Sequence, residues 1–262
     1  MPELPDVETF RRYLDATSLH QKIEGVEVRD KAVLKKISGR KFSSRLRGRK
    51  FDSSDRRGKY IFVKLDRDGC LMLHFGMTGY LKYYKNGDKE PPHTRIIFRF
   101  SNGYRLAYDC QRKLGRVRIA DDMESIAEEK KLGIDAMDPE LDLSAFLEIM
   151  KKRRGMIKTA LMNQSAIAGI GNIYADEILF QSGVHPEREI GDISGEEMKR
   201  IYRVMRRVLR TATDRKADPD NFPRTYIIPR REEGRSCPRC GGTVEKIKVN
   251  GRGTYLCPQC QS

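Results

Sequence analysis

Two places in this chain carry residues whose type and spacing could do chemistry. The first is the opening Met1-Pro2-Glu3-Leu4-Pro5-Asp6-Val7-Glu8. Pro2 is small enough behind the initiator for aminopeptidases to remove Met1, which leaves a free secondary amine. An α-amino group ordinarily titrates at about 7.7 to 8.0, so a modest downward shift makes much of it neutral and nucleophilic at cellular pH. A secondary amine that adds to an aldehyde-like carbon and loses water gives an iminium ion with no N–H proton to shed. That ion stays cationic, acidifies the adjacent carbon and promotes elimination of a group such as phosphate. Glu3 follows at once as a candidate general acid. On these residues alone, a frayed Pro-rich arm with a solvent-facing Glu is the preferred reading.

The second place is Cys237-Pro238-Arg239-Cys240 with Cys257-Pro258-Gln259-Cys260, two CxxC pairs sixteen residues apart. Four thiolates at this spacing make a closed tetrahedral zinc site, structural rather than catalytic because no coordination position is open. The metal would hold together a hairpin too small to fold alone. Cys70 and Cys110 stand apart and read as buried thiols.

Each place needs an element behind it. Pro5 at a first helical position, Asp6 and Glu8 in the first turn, and Val7, Phe10 and Leu14 on one face predict a helix beginning beside the amine. The positive end of its dipole disfavours an ammonium there. At the other end of the chain, Asn250-Gly251-Arg252-Gly253-Thr254 forms the tip of the cysteine hairpin and projects Arg252 between glycines.

The 262 residues suit two domains, and Lys plus Arg outnumber Asp plus Glu by 52 to 37, a net +15 that points to a polyanionic partner. Residues 35–60 hold eleven basic side chains against two acidic. No membrane-length apolar run and no signal-peptide pattern occurs, so the expectation is a cytoplasmic, nucleoid-associated protein with no membrane contact.

After the first helix come short alternating strands. Ile61, Val63 and Leu65 alternate with Tyr60, Phe62 and Lys64 before a turn at Asp66–Gly69, and Asn86-Gly87 and Ser101-Asn102-Gly103 are further hairpin signals. They predict a β-sandwich or barrel. The region Asp135–Asp142, with Pro139, lacks periodicity and predicts a domain boundary. Helical spacing follows at Leu143, Phe146, Leu147 and Met150, then a short helix over Ile157 to Gln164. Gly169-Ile170-Gly171-Asn172 opens another helix and, read alone, presents unpaired N–H groups and an Asn to a phosphate. Ser194 to Glu197 is a capping box before a long amphipathic helix whose arginines read as a solvated face, and residues 217–236 form an aperiodic loop.

Pro2-Glu3-Leu4-Pro5-Asp6-Val7-Glu8-Thr9, the run from Ile157 through Pro186, and the tip-arginine cysteine hairpin together resemble the formamidopyrimidine-DNA glycosylase family over nearly the whole chain. The resemblance implies an α+β protein: an N-terminal β-sandwich domain with an N-terminal helix (1–134), a linker (135–142), a helix-two-turn-helix domain (143–216), a lesion-covering loop (217–236) and a four-cysteine zinc finger (237–262). It implies Pro2 as nucleophile, Glu3 as acid, and Lys59 and Arg252 as assisting phosphate contacts. His74, His93, Arg154, Lys158 and Asn172 match DNA-contacting positions, and Met77 matches the residue that fills the space of an extruded base. Asp109-Cys110-Gln111-Arg112-Lys113-Leu114-Gly115 departs from the family loop, which usually reads Asp-Pro-Arg-Arg-Phe-Gly. Aligned on the glycine, Arg112 holds the arginine that pairs with the orphaned base, Leu114 replaces an aromatic, and the Asp is displaced by one position.

The implied activity is a bifunctional DNA glycosylase and AP lyase for oxidised purines in double-stranded DNA, acting as a monomer with one structural Zn2+. An endonuclease VIII-like enzyme for oxidised pyrimidines, and a non-catalytic lesion-binding protein on the same scaffold, are the alternatives.

Overall fold

Helix α1 spans Leu4–Ser18, so Pro5 takes its second position, still inside the first turn where a missing N–H costs nothing. The computed structural model describes all residues 1–262. The chain divides into one unit of residues 1–2 and 6–130 and a second of residues 3–5 and 131–262, so the N-terminal strand of chain threads both.

In the first unit, Val7 and Leu14 of α1 are buried with Phe10 packed beside them. Glu8 bonds Arg11, Arg12 and Arg56, tying α1 to β2 (Phe51–Arg57). Those guanidinium partners outweigh the cost of burial and hold its carboxyl down at about 2. The strands β1 (Ile23–Val28), β2, β3 (Tyr60–Leu65), β4 (Cys70–His74), β5 (Gly79–Lys85), β6 (Thr94–Phe100), β7 (Tyr104–Cys110) and β8 (Arg116–Ala120) form two antiparallel four-stranded sheets, ordered β1-β6-β7-β5 and β2-β3-β4-β8. Helix α2 (Gly39–Leu46) follows β1, and α3 (Met123–Glu129) follows β8. The inward faces share one apolar cluster in which Phe42, Phe51 and Phe98 meet edge to face.

Two expectations from alternation fail for physical reasons. Phe62 is buried rather than solvent-facing, because α3 covers the outer face of its sheet and makes a second small core with Met72 and Ile126. Asn86-Gly87 is not a hairpin turn. Strands β5 and β6 both pair antiparallel with β7, so they run parallel to each other and residues 86–93 must cross over.

The second unit is helical. After β9 (Ile134–Asp135) come α4 (Leu143–Lys151), α5 (Ile157–Leu161), β10 (Ile167–Ala168), α6 (Asn172–Ser182) and α7 (Gly195–Asp214), then the hairpin β11 (Glu245–Val249) and β12 (Arg252–Leu256). Strand β9 pairs in parallel with β10, which places Ile134 and the aperiodic 135–142 inside this unit. The capping box forms, with Ser194 accepting from Glu197 N–H and the Glu197 side chain accepting from Ser194 N–H. Met198, Ile201, Met205, Val208 and Leu209 are all buried, as their spacing predicts. Residues 217–236 fold back in two short 3₁₀ turns and bury Phe222, Tyr226 and Ile227.

One contact in the sandwich tests whether its core shapes the loops. A Cβ on Gly115 would lie 1.8 Å from the Tyr108 hydroxyl, which donates to the His74 carbonyl at 2.7 Å. Gly115→Ala is therefore expected to break that bond and cost about 1–3 kcal/mol by overpacking. Urea unfolding of the variant checks this; wild-type stability would contradict it.

Candidate functional site

The second unit holds Glu3 in a seat made by the start of α6. Its carboxylate accepts N–H bonds from Gly171 at 2.8 Å, Ile173 at 2.9 Å and Tyr174 at 3.2 Å, and the residue is almost fully buried. Orphan N–H groups and the helix dipole make this a natural anion site. These N–H groups, expected from the sequence to be open to a phosphate, are thus taken by the chain's own Glu3. The glycines explain themselves: a Cβ on Gly171 would lie 2.3 Å from the Glu3 carboxyl carbon, and one on Gly169, at φ +115, would lie 2.6 Å from the Leu4 side chain. Leu4 N–H also donates to the Gly169 carbonyl at 3.1 Å. Pro2 is the residue directly before this anchored pair, so fixing Glu3 and Leu4 limits where its nitrogen can go.

The first unit gathers most of its expected site residues on neighbouring turns. Gly58 and Lys59 form a two-residue hairpin between β2 and β3, with Gly58 first at φ +58. Lys59 is only 8% exposed, so the hairpin is not a loosely solvated charge. Tyr60 pairs across the strands with His74, ring centroids 4.7 Å apart. Burial, then the charges of Lys59 and Arg116, pushes His74 down to about 4. Its Nδ1 accepts from Gly76 N–H at 3.3 Å, so at neutral pH the proton sits on Nε2 and the ring is an uncharged donor.

Gly76, at φ +61, lets two loops touch: a Cβ there would lie 2.6 Å from both the Gly115 nitrogen and the Leu114 carbonyl carbon. Arg112 N–H donates to the Thr78 hydroxyl at 3.2 Å. Met77 and Leu114, on these pinned loops, are 40% and 46% exposed, among the few large apolar side chains of this unit left open. His93 lies on the connection before β6, where its N–H donates to the buried Asp109 carboxylate at 2.7 Å. That bond fixes the start of the 110–115 loop and gives the displaced Asp a structural use.

In the second unit, Arg252 begins β12 and its side chain is exposed beside a groove of about 320 Å³ that Lys158, Asn163 and Asn250 also line. Asn172 donates from Nδ2 to the Gly253 carbonyl at 2.9 Å. Lys158 departs from its expected role as a surface phosphate contact. It is 1% exposed, its Nζ lies 2.6 Å from Asp176 and it donates to the Thr254 hydroxyl at 2.6 Å. Thr254 in turn donates to the Arg252 carbonyl at 3.0 Å. Arg154 is exposed and donates to the Lys151 and Arg153 carbonyls.

The four cysteines converge as their spacing predicts. Their sulfurs lie within 4.8 Å of one another, with Cys237–Cys260 at 3.8 Å and Cys240–Cys257 at 3.5 Å. Zn–S bonds of about 2.3 Å in a tetrahedron put sulfurs ~3.8 Å apart, so the four fit one zinc. Arg239 and Gly242 N–H groups point at the Cys237 and Cys240 sulfurs at 3.4 Å, an arrangement that suits thiolates.

Sequence reasoning missed Asp176 and Glu177, which look like ordinary polar residues in a helix. Asp176 is buried and binds Lys158, Arg231 at 2.7 Å and the Tyr255 N–H at 3.2 Å. One carboxylate thus joins α5, α6, the 217–236 segment and the finger. Glu177 accepts from Ile228 N–H and from Gln181, while Gln181 also donates to the Thr225 carbonyl. Burial pushes the Glu177 carboxyl up to about 7. The one available signal was two adjacent acids in the apolar middle of a helix, between Ile173 and Phe180.

A helical domain closed by a four-cysteine finger with an exposed arginine defines a zinc-finger protein built to meet an anionic surface. Family models make the assignment specific. Residues 1–117 match the formamidopyrimidine-DNA glycosylase N-terminal domain, 132–222 the formamidopyrimidine-DNA glycosylase H2TH domain, and 236–262 a zinc finger found in FPG and IleRS. Formamidopyrimidine-DNA glycosylases of Pelotomaculum thermopropionicum and Streptococcus pneumoniae are 36% and 34% identical, each alignment covering 100% of this chain and 99% of the relative. Lactococcus lactis Fpg (MutM), solved in complex with N7-Benzyl-Fapy-dG containing DNA, superposes with a TM-score of 0.90 at 29% identity over 100% of both chains. The same protein bound non-covalently to AP site containing DNA gives 0.88 at 29% identity over 99% of each. The chain belongs to the formamidopyrimidine-DNA glycosylase family.

The Asp176 cluster makes a direct prediction. Asp176→Ala leaves Lys158 buried without a counter-charge, and breaking such a pair typically costs about 3–5 kcal/mol. Urea unfolding should show a loss of about 3 kcal/mol. A loss under about 1 kcal/mol, the range of exposed pairs, would show that the cluster is not a hub.

Proposed function

We propose that this chain removes oxidised purines from double-stranded DNA as a bifunctional glycosylase and AP lyase, with Pro2 as nucleophile. The observation that carries this reading is the seat of Glu3 and Leu4, which fixes the residues next to Pro2 within a chain that matches its glycosylase family end to end. The preference for purines rests on relatives described as formamidopyrimidine-DNA glycosylases and on a Lactococcus lactis complex with FAPY-dG containing DNA. No helix is long and apolar enough to cross a membrane. We place the work of the protein at the nucleoid, as a monomer.

A base inside a duplex must leave the stack before its sugar can be attacked, at a cost of a few kcal/mol that damage partly offsets. Met77 fills the space left behind, Arg112 donates to the orphaned partner base, and Leu114 packs beside it. The Pro2 nitrogen, freed by loss of Met1, bonds to the sugar carbon as the base departs with the electrons of the broken bond. Glu3 takes the proton that the Pro2 nitrogen sheds on forming this bond and passes it to the sugar ring oxygen, opening the ring to the iminium. Loss of a proton from the neighbouring carbon then expels the 3′ phosphate, and a second elimination expels the 5′ phosphate.

Lys59, His74, His93, Arg154 and Arg252 hold phosphates in this reading. Lys158 and Asn172 act through Thr254 and Gly253, setting the strand that carries Arg252. Residues 217–236, anchored by Glu177 and Gln181, cover the extruded base. The zinc contributes folding of the finger alone.

Borohydride should reduce the iminium and trap the protein on lesion-containing duplex through Pro2. An N-terminal extension that blocks the amine should abolish trapping while DNA binding survives. Trapping through Lys59 in the wild-type chain would overturn the assignment.

Salt dependence separates charged contacts from neutral ones, because only a cation that displaces counterions steepens the slope. Arg252→Ala should flatten the plot of log affinity against log salt by about 0.9. His74→Ala should weaken binding at an unchanged slope, since the ring is neutral, and Lys158→Ala should leave the slope unchanged because Asp176 already balances that charge. A change of about one unit on loss of His74 would contradict its neutral state.

A further inference from the structure

The outer surface of the sheet β1-β6-β7-β5 carries a groove of about 680 Å³ that the proposed reaction does not use. Lys22, Arg47, Arg99 and Arg105 line it, with Tyr104 and a single acid, Glu24. None of the four cations makes an ion pair; Arg105 meets only the Tyr84 hydroxyl as a side-chain partner. Arg99 and Arg105 face each other directly across β6 and β7. Like charges so placed destabilise a sheet, and here no carboxylate of the chain lies within ion-pair distance of either.

The backbone is shaped around one of these arginines. A bulge between Ile23 and Gly25 brings Gly25 opposite Arg99, and a Cβ at Gly25 would lie 2.6 Å from an Arg99 guanidinium nitrogen. The guanidinium therefore rests on bare backbone, and a side chain at Gly25 would displace it from this position. Tyr104 stacks on Tyr83 with centroids 4.8 Å apart and planes 2° apart, yet is still 37% exposed, so one ring face is taken and further ring surface stays open.

We propose that this groove is an accessory binding site for a nucleotide unit, in which the arginines and Lys22 take adjacent phosphates and Tyr104 stacks a base. The volume is that of a small-molecule site. Arginine forks match phosphate oxygens, and every base offers a π face to an aromatic ring. Glu24 suits the remaining donors of a nucleotide, its sugar hydroxyls and base N–H groups. A free nucleoside triphosphate and a nucleic-acid strand share this chemistry.

Thermal shift and calorimetry on the full zinc-loaded protein separate these sources. The probes are ATP, inorganic triphosphate and a single-stranded oligothymidylate, each on wild type and on Arg99→Gln/Arg105→Gln. The double variant alone should unfold at a temperature no lower than wild type, because the like-charge pair is gone. ATP at tenfold its Kd should raise the wild-type Tm by about 2–4 °C and leave the variant unmoved. Stacking should make ATP bind at least ~5-fold tighter than inorganic triphosphate. An Arg99- and Arg105-dependent response to the oligothymidylate but not to ATP identifies a strand as the occupant. The proposal is overturned if no probe binds, if neither the ATP nor the oligothymidylate response is reduced in the double variant, or if triphosphate binds as well as ATP.

Discussion

The carboxylate of Glu3 on the first N–H groups of α6 is the interaction that the rest of the site depends on. A chain terminus normally frays, since a few residues make too few contacts to offset the entropy of ordering them. Here three charge-assisted bonds, buried from water, do what a longer segment would otherwise have to do. Leu4 is fully buried in the helical core, and its N–H is bonded to Gly169. The sequence of Gly169-Ile170-Gly171 is explained by this fit, because each glycine makes room for one of the two residues it receives.

The finger is held in place by the same economy of polar contacts. Zinc closes the hairpin on itself, but its position on the helices comes from Asp176, Lys158, Asn172 and Arg231, which reach Gly253, Thr254 and Tyr255. A buried ion pair is weak evidence for net stability, since desolvation consumes much of the attraction. Its value here is geometric: the partners lie on three separate segments, α5, α6 and 217–236, and together they fix the strand that begins with Arg252. The sandwich uses shape instead. Gly76 lets two loop backbones meet and Gly115 leaves room for the Tyr108 hydroxyl, and exposed Met77 and Leu114 are what those loops present.

Much of this was legible in the sequence because the informative patterns are local. Two CxxC pairs, a capping box and an apolar face at Met198, Ile201 and Met205 each lie within one element, and each formed as spacing dictates. The misreadings are non-local. Whether Phe62 is buried depends on α3, some sixty residues on, and whether Asn86-Gly87 turns a hairpin depends on β7 inserting between strands adjacent in sequence. Lys158 reads as a surface cation until Asp176 is placed beside it, and the α6 N–H groups read as open until Glu3 occupies them. Charge partners distant in sequence leave no periodic trace.

The central claim is that the seat of Glu3 positions the reactive terminus, and Gly171→Ala tests it most directly. The added methyl collides with the Glu3 carboxyl and removes no donor or charge. Single-turnover excision of a formamidopyrimidine lesion and affinity for a duplex bearing a stable abasic analogue should be measured on the same protein. Excision is expected to fall by at least ~10²-fold, the scale of a displaced general acid or misplaced nucleophile, with affinity within a few-fold of wild type. Wild-type excision by a folded Gly171→Ala protein would contradict the claim.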